Sequence, residues 1–258
     1  MTDIRIDDRG FTLGHGLFET VLWAPAGPAH WDAHRERLER GCRTIGLPLP
    51  DRGELLAAAE GAAARLGGAE RGAVRINWSA GPGARGLDPP DVFAPVLTAS
   101  ASPLGPPPGP VTLATAKVRR NDRSPASRVK SLSYLDNVLA RAEARAAGAE
   151  EALMLNTAGE VACAAAANIF WIRHEEVFTP DLDCGVLDGI MRREVIAACH
   201  RLGVPVQEVF ANPGRIAGAP MFITNSLVGL RSVSSLDGAP LPASPLVKAI
   251  VKVLSPGT

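Results

Sequence analysis

Arg128-Val129-Lys130-Ser131-Leu132-Ser133-Tyr134-Leu135-Asp136-Asn137 is the stretch on which the fold class turns. Residues 128–132 alternate in polarity as a short extended segment does. From Asp136 to residue 147 the spacing becomes helical, and Gly148 follows as a helix stop. Lys130 thus stands where an extended segment hands over to a helix. Lysine occurs only at 117, 130, 248 and 252, so amine chemistry has four candidates. An amine that bonds covalently to a carbonyl must first lose its proton, and neighbouring cations ease that loss. Arg119, Arg120, Arg123 and Arg128 are close in the chain.

Outward from this stretch, the periodicity mixes strands and helices. Before it, residues 18–23, 73–79 and 92–100 read as strands and residues 31–45 and 54–66 as helices, with Asp32 as an N-cap. Further strands are expected over 111–118, 152–155, 204–210 and 221–224, and one extended run over 160–172. Helices are expected over 190–202 and 244–254. Residues 100–110 are rich in Pro, Gly and Ser and read as a stiff surface connection. The predicted class is α+β (mixed α/β) in two sub-domains. Residues 1–110 form the first, 111–124 the connection, and 125–258 the second.

Composition excludes several function classes. Lys+Arg and Asp+Glu both number 27, so net charge is zero and no nucleic-acid partner is indicated. No run approaches the ~20 apolar residues of a membrane span, and Met1 to Arg5 has no apolar signal core. Cys42, Cys163, Cys184 and Cys199 are scattered, and with His174 and His200 they complete no metal spacing. Reduced thiols in a cytoplasmic protein without a metal is the expectation.

Three further segments carry chemistry beyond packing. They are Asp8 to Thr20 with the core Gly14-His15-Gly16, His34-Arg35-Glu36-Arg37-Leu38, and Asn168-Ile169-Phe170-Trp171 followed by Gly185-Val186-Leu187-Asp188-Gly189-Ile190-Met191-Arg192. Gly189 opens a helix, whose first N–H groups make an anion site that glycine lets a ligand approach closely. Together with the Lys130 segment, in this order, these stretches resemble the class IV (fold type IV) pyridoxal 5'-phosphate (PLP) enzymes from about Asp8 to Leu230. That family includes aminodeoxychorismate lyases and D-amino-acid and branched-chain aminotransferases.

The resemblance implies PLP as cofactor and Lys130 as its Schiff-base lysine, with Lys117 the fallback. It implies that Arg37 and the N–H groups of Ile190 and Met191, next to Gly189, hold the phosphate, with Asn225 and Ser226 as a third contact. Arg37 read alone is an arginine on an amphipathic helix. Tyr134, the only tyrosine, is either a partner of the cofactor's phenolic oxygen or a core residue. Arg85, in a Gly-rich loop, is either a substrate-carboxylate ligand or a solvated turn residue. His15 receives no catalytic role. Relatives imply a small amino substrate and a homodimer.

One departure matters. The family's glutamate against the pyridine nitrogen stands five residues before the asparagine, where this chain has Cys163 and Asn168. Glu160, three residues away, faces the other side of a strand. A thiol is neutral and cannot hold a pyridinium as a carboxylate does. A full transamination cycle should suffer most, whereas an elimination ending in an aromatic product brings its own driving force. Within the family, Ala167-Asn168-Ile169-Phe170-Trp171 and Gly189-Ile190-Met191-Arg192 most resemble aminodeoxychorismate lyase, and this resemblance, with which Cys163 agrees, implies conversion of 4-amino-4-deoxychorismate to 4-aminobenzoate and pyruvate, in folate synthesis. A class IV aminotransferase and a PLP-binding protein of low activity are the alternatives.

Overall fold

Every second position of two segments, Gly16–Ala24 (β1) and Gly72–Ser79 (β3), lines one buried sheet face that is apolar apart from Glu19. The computed structural model describes residues 4–254. Contacts divide the chain into two units, Met1–Pro106 with Val129–Tyr134, and Pro107–Arg128 with Leu135–Thr258.

The first unit contains α1 (Arg9–Leu13), β1, β2 (Gly27–Pro28), α2 (Trp31–Ile45), α3 (Arg52–Ala63), β3 and β4 (Val96–Pro103). Its antiparallel sheet has the order β2-β1-β3-β4. Leu17, Val21, Val74 and Ile76 pack on Leu38 and Cys42 of α2 and Leu55, Ala59 and Ala62 of α3. Each fully buried aliphatic side chain contributes about 1.5–3 kcal/mol. Asp51 caps α3 by accepting from the N–H groups of Gly53 and Glu54. The helix over 31–45 forms as expected, but Asp32 lies in its first turn, and the cap residue is His30 in a left-handed conformation. β4 begins at Val96, later than expected, since Pro95 cannot donate to a ladder.

The second unit contains β5 (Val111–Arg120), α4 (Pro125–Arg128), α5 (Leu135–Ala146), β6 (Glu151–Asn156), β7 (Val161–Ala164), β8 (Asn168–Arg173), β9 (Glu176–Pro180), α6 (Ile190–Arg201), β10 (Val206–Val209), α7 (Pro213–Ile216), β11 (Met221–Asn225), β12 (Gly229–Leu236), β13 (Ala239–Pro240) and α8 (Pro245–Leu254). The sheet runs β10-β9-β8-β11-β12-β5-β6-β7, with β13 added on β12. β5 pairs parallel with both β12 and β6. Alternation along β5 and β6 sends Ala114, Ala116, Ala152 and Met154 toward α5, and Val111, Leu113, Leu153 and Leu155 to the opposite core. Phe170 and Phe222 stack with α6 and α8 on a further cluster.

The strand expected from residue 111 forms as β5 and runs to Arg120, and residues 129–134 group with the first unit. The run over 160–172 is broken: β7 pairs with β6, the chain turns at 165–167, and β8 pairs with β9 and β11. The reversal falls within the apolar run 161–167, where residue type carries no signal for it. Among the described residues no helix is long and apolar enough to cross a membrane.

Candidate active site

The Lys130 segment is clamped onto β1 by its backbone. The Phe18 N–H donates to the Lys130 carbonyl at 2.8 Å, the Leu132 N–H donates to Gly16 at 2.9 Å, and Leu17 bridges Ser131. The glycines of the N-terminal motif make the approach feasible. A Cβ on Gly14 would lie 2.1 Å from Ser133 Oγ, and one on Gly16 would lie 2.6 Å from Leu132 Cδ1. Gly14 also has φ of 67°, which glycine adopts without strain.

Lys130 Nζ lies 4.2 Å from the centroid of the Phe18 ring and 5.4 Å from that of Tyr134. Those two rings meet edge to face at 5.1 Å. A second cation shares the Phe18 ring, with Arg75 Cζ 3.8 Å from its centroid. Sequence reasoning missed Arg75. The only local signal was the one charged residue in that strand.

Phe18 and Glu19 are neighbours on β1 and so point to opposite faces. On the helix-covered face, Arg37 donates Nε and Nη2 to the Glu19 carboxylate at 2.8 and 2.6 Å. His34 Nδ1 lies 2.7 Å from the same carboxylate. Burial pushes the Glu19 carboxyl up, but Arg37 and His34 outweigh it and hold its pKa at about 2. For His34 the balance goes the other way: burial pushes it below its usual value despite Glu19, and the ring is neutral. The forked edge of Arg37 is therefore occupied by Glu19, and an anion would meet the guanidinium from its other side.

Arg85 is exposed, and the carbonyls after it are braced from below. Buried Arg9 donates to Gly86 at 3.4 Å and to Leu87 at 2.8 Å, while its Nε donates to His15 Nδ1 at 3.3 Å.

In the second unit, Gly189 is the N-cap of α6, and no side chain caps the first turn. A Cβ there would stand 1.9 Å from Asn168 Oδ1. Asn168 in turn donates to the Leu187 carbonyl at 2.9 Å. Asn168 thus shapes the loop that presents the helix N-terminus and its backbone donors. Asn225 donates to Ala166 at 3.0 Å and accepts from Leu227 and Val228, and Ser226 lies in the turn so built. The polar atoms of Asn225 are thus committed to backbone.

Cys163 is 6% exposed on β7 opposite Met154, and burial raises its pKa, so the thiol is neutral. In the first unit, the half-buried amine on aromatic rings suits a carbonyl compound; in the second, the uncapped helix start at a tightly packed glycine suits an anion. Among the described residues no three metal-ligating side chains cluster.

A sequence profile of the family described as amino-transferase class IV matches residues 16–236. The chain belongs to that family. The aminodeoxychorismate lyase of Vibrio harveyi is 31% identical over 92% of this chain and 88% of its own length. The D-alanine aminotransferase of Listeria monocytogenes is 28% identical over 91% of this chain and 83% of its own. A solved Legionella pneumophila protein, provisionally named 4-amino-4-deoxychorismate lyase, superposes with a TM-score of 0.89 at 30% identity, covering 98% of this chain and 95% of the other. Class IV membership makes this chain a PLP-dependent enzyme with the type IV fold. Lyases and aminotransferases are both among its relatives.

Proposed function

We propose that the protein is a PLP-dependent lyase that converts 4-amino-4-deoxychorismate to 4-aminobenzoate and pyruvate, a step of folate synthesis. The observation that carries this reading is Cys163, a buried neutral thiol where the motif register puts the partner of the ring nitrogen. A weak ring acid suits an elimination driven by aromatisation better than a reversible transamination. The likeness to the Vibrio harveyi lyase supports the same choice.

When bound, PLP supplies an electrophilic carbon for the substrate's amine and a ring that accepts electrons. Lys130 would hold it, and Lys130 Nζ would be the base that takes the proton from the substrate's C4 and the acid that returns one to the departing enolpyruvate. Arg37 and the N–H groups of Ile190 and Met191 would hold the phosphate, with Asn225 and Ser226 shaping the adjoining turn. Tyr134, beside Lys130, would be the partner of the cofactor's phenolic oxygen. The substrate carries two carboxylates, and two arginines are available for them. Arg85 is exposed on its loop, and Arg75 has no carboxylate partner within 4.0 Å among the described residues.

We also propose a cytoplasmic homodimer. Exposed Ile6, Phe11, Leu87 and Val92 offer apolar surface for a second copy, and all four thiols are unpaired. The second functional reading, a D-amino-acid or branched-chain aminotransferase, is favoured by the Listeria relative. A paired assay separates the two. The lyase forms 4-aminobenzoate and pyruvate with no 2-oxo acid present. Turnover of D- or L-amino acids with a 2-oxo acid, and none of aminodeoxychorismate, would overturn the proposal.

A further inference from the structure

We propose that Arg120 is a positioning residue whose uncompensated charge keeps the ring nitrogen of bound PLP unprotonated. The inference rests on the reading above that PLP lies with its ring nitrogen toward Cys163.

Arg120 ends β5 and is 9% exposed. Its Nε donates to the Gly185 carbonyl at 2.8 Å, Nη1 to Asn137 Oδ1 at 3.3 Å, and Nη2 to the Ser127 carbonyl. All three acceptors are neutral. Among the described residues no carboxylate lies within 4.0 Å of this guanidinium, whereas buried arginines as a rule are paired with one. The cation is therefore solvated by dipoles alone.

Asn137 links this charge to the strand that bears the thiol. Its Nδ2 donates to the Ala165 carbonyl at 2.7 Å and lies 3.9 Å from Met154 Sδ. Met154 is the residue directly across the β6–β7 ladder from Cys163, and Ala165 is two positions beyond it. Glu151, the acid whose charge acts on Cys163, does not compensate Arg120. Glu151 at the start of β6 accepts from the Ala152 N–H and pairs with Arg141 at 3.0 Å. Cys184, which packs in the same cluster, is a neutral thiol. The charges facing position 163 are thus one unpaired cation and one carboxylate already engaged elsewhere.

A cation beside a basic nitrogen disfavours its protonated form, and burial acts in the same direction. A glutamate at 163 would answer Arg120 and offer an acceptor to the nitrogen, but a thiol does neither. The substitution therefore does more than remove an acid. It exposes the ring to a positive charge that stays in place.

The first arm of the test needs no cofactor. Cys163→Glu and Cys163→Gln differ in charge at nearly constant shape, so their thermal stabilities are compared in apo protein, with and without Arg120→Gln. The expected result is that the glutamate variant melts higher than the glutamine variant only while Arg120 is present. Equal melting in both backgrounds would mean that Arg120 does not reach position 163, and would overturn the proposal.

The second arm uses holoenzyme carrying PLP labelled with nitrogen-15 in the ring, followed by NMR across neutral pH. Wild type should show an unprotonated ring nitrogen throughout. Cys163→Glu should raise that nitrogen's pKa by about 1–3 units, the range that a nearby charge produces. A protonated nitrogen in wild type overturns the inference and leaves the lyase reading standing. Failure of PLP to bind Lys130 at all sinks the functional reading itself, and the inference with it.

Discussion

Glu19 on β1 receives a forked pair of hydrogen bonds from Arg37 on α2, with the carboxylate side chain 2% exposed and the guanidinium 9%. Removing one partner of such a buried pair leaves the other uncompensated, at about 3–5 kcal/mol. Glu19→Gln should therefore lower stability by that order, read by urea unfolding at neutral pH. The pH dependence has a definite sign. The Glu19 pKa in the fold, about 2, lies below its usual 4.5, so its contribution is present above pH 4.5 and lost as pH falls toward 2. His34 is also lowered, from 6.5, so acid destabilisation begins below that value. In Glu19→Gln the loss between 4.5 and 2 should be absent. An unchanged acid limb would mean that other carboxylates carry it.

Borohydride reduction of the PLP-loaded protein should fix the cofactor on Lys130. The Phe18 and Tyr134 rings and the backbone clamp from Gly16 and Phe18 hold this amine in place. Lys130→Ala should lose both the adduct and turnover while keeping its fold. Peptide mapping that finds the adduct on Lys117, Lys248 or Lys252 would remove Lys130 from the mechanism.

Gly189→Ala should weaken PLP binding, because the added Cβ meets Asn168 Oδ1 at 1.9 Å and displaces the helix start. Overpacking of this kind costs about 1–3 kcal/mol. Adding Asn168→Ala should restore part of the affinity by making room. Arg37→Ala should reduce affinity ten- to a hundred-fold, for about 1.5–3 kcal/mol of charge-assisted contact. Cofactor titration by absorbance measures all four proteins. Wild-type affinity in folded Arg37→Ala would leave that arginine with Glu19 alone.

The four thiols should be inert in the native protein. Burial pushes Cys42 and Cys184 up to about 12 and Cys199 to about 11, and raises Cys163 as well. A chromogenic disulfide at mildly alkaline pH should react slowly with the native protein and with four equivalents after denaturation. A fast native equivalent mapped to Cys163 would show an open, anionic thiol and contradict its neutrality.

Legibility in the sequence followed the range of the interaction. The helix opening at Gly189 and the alternation of β3 are local, and each was readable from neighbouring residues. The extended segment expected over 128–132 did not form: Arg128 ends the short helix α4, residues 129–130 turn, and only Ser131 bridges a strand. The break between β7 and β8 was not readable, because partner strands from elsewhere in the chain impose it. Nor was the placement of 129–134 with the first unit, which depends on hydrogen bonds to residues more than a hundred positions earlier.

The sequence by itself determined the class of enzyme, and its motifs are what the proposals for Lys130, Gly189 and Cys163 rest on. Each of these is a property of residue type in a fixed order, which folding does not alter. Only the tertiary structure decided who stands beside whom. It brought Arg37 to Glu19, Arg75 and Lys130 to one Phe18 ring, and Arg120 to Asn137 without any carboxylate. Those are electrostatic relationships across 17 to 112 positions of chain. Charge acts through space and its strength depends on burial, and neither distance nor burial is written in the order of the residues.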